Sequence, residues 1–201
     1  MHRRIAADPR HRTISAGYAF VAHQQRLIEQ GHYLYGWSHL PAHKLNLPPR
    51  TSTLTILRDP MHRVVSLFRY QLTGDPPGTP FAVPDEQRAL AASGFESFLD
   101  ELPQKQLLRQ LFMFSSTFNV SEAVDRISEC SMVLALERFD AGVVALSRTL
   151  NLPLSSRHER ASSGRCELSD ESRDRLRELL EPEYELIQQL GDLVGRVGNG
   201  T

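Results

Sequence analysis

The stretch from Thr53 to Tyr70 constrains the fold of this chain more than any other. Thr53–Leu57 is a compact β-favouring run, the pattern of a buried parallel strand. Arg58 follows, then Asp59-Pro60, an N-capping residue with proline at the first helical position. That pair predicts a helix to about Leu72. In parallel sheets ligands gather at the carboxyl ends of strands, and Arg58 stands at such an end. Its guanidinium can give a phosphate two parallel hydrogen bonds. Arg63, Ser66 and Tyr70 are spaced i, i+3, i+7 and share a helical face, while Val64, Leu67 and Phe68 fall on a core-facing stripe. Such a face beside a strand end suits an anion. The competing assignment pairs Arg58 with a local carboxylate and leaves Ser66 on the helix surface.

Around this unit the pattern alternates. A helix is predicted over Tyr18–Gln30, with Val21, Leu27 and Ile28 as its stripe, then an extended piece at His32–Tyr35 and a Pro-rich loop from Pro41 to Arg50. Gly74–Pro84 reads as a surface loop. Helices follow over Gln87–Ala92, Phe95–Leu102, Gln104–Phe114 and Ser121–Ser128. Met132–Leu136 is the second apolar strand, Ala141–Leu150 the helix after it, and Ser155–Leu168 a polar loop. Ser169 is a further N-cap, and Pro182 breaks or restarts the last helical region. Strands separated by helices predict an α/β fold with a parallel sheet covered on both faces.

The 201 residues favour a single domain, 1–201. A net charge of −1 gives no global attraction to nucleic acid or to an anionic membrane. Neither a signal peptide nor an apolar run of membrane-spanning length is present, so the expected location is cytoplasmic. Cys130 and Cys166 lie in no metal or redox motif. His39 and His43 are spaced like a metal pair, but no third ligand of suitable type accompanies them, so no metal is expected. No G-x-x-x-x-G-K-[ST] motif exists, which argues against a P-loop kinase.

The segment Arg58-Asp59-Pro60-x-x-Arg63-x-x-Ser66-x-x-x-Tyr70 resembles the 3′-phosphate motif of sulfotransferases that use 3′-phosphoadenosine 5′-phosphosulfate (PAPS). The likeness is to the carbohydrate branch that includes heparan sulfate 2-O-sulfotransferase. Gly31-His32-Tyr33-Leu34-Tyr35-Gly36 is similar to that family's Gly-His-aromatic segment. Val133-Leu134-Ala135-Leu136-Glu137-Arg138-Phe139-Asp140 is similar to its later strand, which ends in Glu-Arg-Phe-Asp. The resemblance spans about Gln30 to Leu190 and implies a P-loop-NTPase-like parallel sheet flanked by helices. It implies that Arg58 and Ser66 hold the 3′-phosphate of PAPS, or of the product adenosine 3′,5′-bisphosphate. It also implies that His32 is the general base toward a hydroxyl-bearing acceptor such as a glycan. A histidine near its ordinary pKa of about 6.5 suits that task; read alone, His32 is equally a structural residue of a helix–strand turn. Where those enzymes can carry a second histidine, this chain has Gln30.

Two departures matter. The family opens with a strand and a lysine-containing loop whose amides cradle the 5′-phosphosulfate. Here 21 of the 23 basic residues are arginine, the only lysines are Lys44 and Lys105, and the first 30 residues hold no Gly-Thr pair. The chain is therefore expected to lack the fold's first strand and loop. Three explanations are open at this point: a fragment or N-terminally shortened product whose loop was lost, an arginine among Arg3–Arg12 acting at the sulfonate, or a degenerate relative that binds without turnover. The family's His-x-Asn segment also reads differently here, as His158-Glu159-Arg160.

Overall fold

The computed structural model describes residues 13–15, 18–22, 25–31, 33, 35–75, 79, 82–156 and 168–193. Strands β1 (Thr13–Ser15) and β2 (Tyr18–Ala22) pair antiparallel. Helix α1 (Gln25–Gln30) follows, and β3 (Tyr35–Trp37) runs parallel to β2 with Phe20 opposite Tyr35. This corrects the helix expected over Tyr18–Gln30. The Tyr18–Ala22 run holds aromatic and β-branched residues that suit a pleat. Pairing on both of its edges overrides the helical spacing of Val21, Leu27 and Ile28. Gly31 ends α1 at φ 72°, where a side chain would be strained and its Cβ would stand 3.3 Å from Pro48.

A second, two-stranded parallel sheet joins β4 (Leu54–Leu57) to β5 (Met132–Ala135), in register from Leu54↔Met132 to Leu57↔Ala135. Between them run α2 (Pro60–Thr73), α3 (Asp85–Ala92), α4 (Phe95–Glu101), α5 (Gln104–Leu107), α6 (Arg109–Phe114) and α7 (Val120–Ser128). A 3-10 turn at Leu136–Arg138 leads into α8 (Phe139–Leu150), and α9 (Asp170–Leu179) and α10 (Glu181–Leu190) follow. The fold is α/β, mostly helical, around this small parallel sheet. The capping signals operate as expected. The Asp59 carboxylate accepts from the His62 N–H at 2.7 Å, and the Ser169 hydroxyl from the Ser172 N–H at 3.1 Å. Pro182 sits in the first turn of α10, where no helical N–H partner is needed.

The core lies on one side of this sheet. Leu57 and Val133 meet Val64 and Phe68 of α2, Phe98, Leu111 and Ile127 from the intervening helices, and Leu176 and Leu186 from the last two. On the other side Met132 and Leu134 are buried, and α8 approaches so closely that a Cβ on Gly142 would come within 3.0 Å of Leu134. By register Leu54 and Ile56 share that face, yet they are 39% and 44% exposed. Among the described residues the sheet is thus covered on both faces at β5 and only on one at β4, which corrects the expected sandwich. The physical reason is that α8 packs on β5.

The predicted single helix over Gln104–Phe114 is divided at Leu108 (φ −103°, ψ 48°) into α5 and α6. Charges held in the interior stabilise that break, as the candidate site makes plain. No helix among the described residues is long and apolar enough to cross a membrane.

Candidate functional site

The ladder with β5 ends at Leu57, so Arg58 leaves the sheet with its own backbone groups unmatched by β5. Gln110 of α6 matches them. Its Oε1 accepts from the Arg58 N–H at 2.7 Å, and its Nε2 donates to the Arg58 carbonyl at 2.9 Å. On the next residue the Asp59 N–H donates to Glu137 Oε1 at 2.8 Å, while the Asp59 side chain caps α2. Both nearby carboxylates are therefore engaged with backbone N–H groups. The Arg58 guanidinium makes no hydrogen bond or ion pair among the described residues, so the local-carboxylate pairing is not formed there.

Arg58 lines a cleft of about 270 Å³ together with Leu57, Asp59, Pro60, Ala135, Glu137, Tyr184 and Ile187. A wider groove of about 750 Å³ shares Asp59 and Tyr184 with it and adds Asp174, Arg177, Glu178 and Glu181. The wider groove is dominated by carboxylates and repels anions, so the cationic end of the system is at Arg58. Burial raises the Tyr184 phenol above the ordinary tyrosine range, and the Asp59 carboxylate adds to the shift. It stays a neutral donor at physiological pH.

Ser66 sits on α2, half-buried, about 9 Å along the helix axis from Pro60 at 1.5 Å per residue. It does not line the cleft. Tyr70 on the same helix is 39% exposed. Arg63 departs from the shared anion-binding face. Its Nη1 donates to the Gln106 carbonyl at 2.9 Å, and its Nη2 to the Leu107 carbonyl and, at 3.2 Å, to Glu183 Oε2. Glu183 is fully buried and also accepts from the N–H groups of Gln110 at 2.6 Å and Leu111 at 3.3 Å.

The pair thus closes the break at Leu108, with a cation on the last carbonyls of α5 and an anion on the first amides of α6. Burial holds the Arg63 guanidinium below the ordinary arginine range, and Glu183 opposes that shift. In the sequence Gln110 is a polar residue within an apolar, helix-forming stretch and Glu183 one of several glutamates at a helix start, signals too common to single them out.

Comparison with family models, curated proteins and solved structures found no match.

The remaining candidates divide sharply. His32 lies outside the described residues, as do Arg3–Arg12, Cys166 and the segment 158–164. Gln30 closes α1. Lys44 and Lys105 are exposed and line neither the cleft nor the groove. The Cys130 thiol is pushed up by burial, which disfavours the reactive thiolate.

The spaced histidines are split between two aromatic contacts, His39 edge-on to Trp37 at 5.2 Å and His43 edge-on to Phe112 at 5.7 Å. Neither nitrogen of His43 has a hydrogen-bond partner among the described residues. Burial, then Arg126 and Lys44, hold its imidazole below the ordinary histidine range, with Glu122 opposing. The unfolded chain therefore takes up this proton first, and stability declines as pH falls through about 6.5. The urea midpoint of the wild type is expected to drop between pH 7.5 and 5.5, and His43→Leu to show a smaller drop. Equal drops would contradict a neutral, desolvated imidazole.

Proposed function

We propose that this chain is a sulfotransferase-type α/β domain of P-loop-NTPase-like organisation that moves a sulfonate group from PAPS to a hydroxyl of an acceptor. The observation that carries the reading is the Arg58 guanidinium. Arg58 follows a parallel strand at its carboxyl end and lines a cleft, on a backbone tethered through Arg58 and Asp59, and its guanidinium has no partner among the described residues. That is the chemistry a 3′-phosphate requires. Ser66 enters the reading as second ligand through the sequence resemblance alone, since its side chain lies outside the cleft lining. His32 accepts the acceptor's proton as its oxygen attacks sulfur, and the bond from sulfur to the bridging oxygen breaks. Adenosine 3′,5′-bisphosphate leaves with the electron pair.

The carboxylates of the wider groove are hydrogen-bond acceptors for sugar hydroxyls and repel polyanions. They favour a neutral or amino-bearing carbohydrate over an already sulfated one.

A second reading is a sulfotransferase-like module that binds the nucleotide without turnover, and the lysine distribution favours it. Strand β2 precedes α1 in the chain, and no lysine or glycine lies between Ala22 and Gln30. Calorimetry with adenosine 3′,5′-bisphosphate tests both readings against a protein with no nucleotide site, for which no heat of binding appears. PAPS turnover with mixed glycan acceptors then separates enzyme from module. His32→Ala is expected to abolish turnover and leave nucleotide affinity within about twofold. Equal loss of both would assign His32 a structural role.

A further inference from the structure

The strand tip raises a question of rigidity, because a four-torsion arginine side chain can hold a phosphate in one place only if its Cα is fixed. We infer that Gln110 is a positioning residue for anion binding, its side-chain amide extending the sheet by one residue to hold Arg58 in the lining of the cleft. The inference rests on the phosphate-binding reading of Arg58.

A primary amide offers one acceptor and one donor in a plane, as a neighbouring strand's peptide groups would. Gln110 uses both on the two backbone groups of Arg58, at 2.7 and 2.9 Å. The amide cannot turn over without loss, because Nε2 also faces Glu183 Oε2 at 3.3 Å, and a flipped oxygen would meet that carboxylate. Glu183 is fixed in turn by the Gln110 and Leu111 N–H groups and by Arg63. Gln110 is 8% exposed and Glu183 fully buried, so water competes poorly for these bonds. The strand tip is thereby held before any ligand arrives, and binding is spared the cost of ordering it.

The experiment compares two probes, adenosine 3′,5′-bisphosphate and adenosine 5′-monophosphate, which differ by the 3′-phosphate. The ratio of their affinities is insensitive to the fraction of protein folded. Gln110→Leu, close in volume but unable to bond the strand, is expected to lower the ratio about 5- to 20-fold. In an Arg58→Ala background the same change should leave the ratio within twofold, since the group it positions is gone.

If Arg58→Ala lowers the ratio and Gln110→Leu does not, the positioning role is overturned and the phosphate site stands. If Arg58→Ala leaves the ratio unchanged, the phosphate reading itself fails and the inference with it. Should Gln110→Leu not fold, Gln110→Met carries the same comparison, and a retained ratio in that variant overturns the role equally.

Discussion

Arg58→Ala is expected to weaken binding of adenosine 3′,5′-bisphosphate by about 1.5–3 kcal/mol, the range for a hydrogen bond to a charged group. That corresponds to roughly 10- to 150-fold in Kd. The size of the effect follows from geometry. The guanidinium has no partner among the described residues, so truncation leaves no buried carboxylate stranded and removes only what the ligand would use. Its backbone bonds to Gln110 survive the change. The urea midpoint should therefore stay within the roughly 0.5 kcal/mol typical of surface substitutions. Arg58→Lys should recover part of the affinity, because an ammonium supplies the charge but not the planar fork. Calorimetry at fixed ionic strength checks all three proteins, and an affinity for the alanine variant equal to that of the wild type would remove the central site assignment.

The largest loss of stability is expected from Glu183→Ala, at about 3–5 kcal/mol, the range for breaking a buried ion pair. Glu183 accepts from four donors, the backbone N–H groups of Gln110 and Leu111, the Gln110 side chain and Arg63. Removing it leaves the Arg63 guanidinium buried against the α5 carbonyls without its counter-charge, and the first amides of α6 without an acceptor. Glu183→Leu with Arg63→Met should recover only part of the loss. Apolar replacement relieves the unpaired charge, but the carbonyls and amides at the Leu108 break remain to be satisfied. Urea unfolding at unchanged m reads the effect. A loss below about 1 kcal/mol would mean that solvent reaches the break and that the pair does not hold it.

Much of the frame was legible because its signals are local. Asp59-Pro60 marks the start of α2, Ser169 caps α9 and Pro182 separates α9 from α10, each through chemistry confined to one helical turn. Thr53–Leu57 and Met132–Leu136 read as strands, and the structure pairs β4 with β5 in parallel. Tyr18–Ala22 misled because five residues of mixed aromatic and β-branched character suit either state, and the partners on both edges decide between them. The division of Gln104–Phe114 was invisible for a related reason. Nothing within that segment breaks a helix; the residues that stabilise the break are Arg63 and Glu183.

The candidate site divides in the same way. Arg58 is placed by the order of residues alone, since a strand that runs into a capped helix must present its last residue at the sheet's carboxyl edge. That Arg63 turns inward to Glu183, that Gln110 grips the strand tip, and that Ser66 stands outside the cleft lining depend on residues 43 to 120 positions apart meeting in space. Short-range sterics and capping act between neighbours and are written in sequence. The pairing of buried charges and amides belongs to the packed interior, where low dielectric makes every unmatched group costly and the fold chooses which partners arrive.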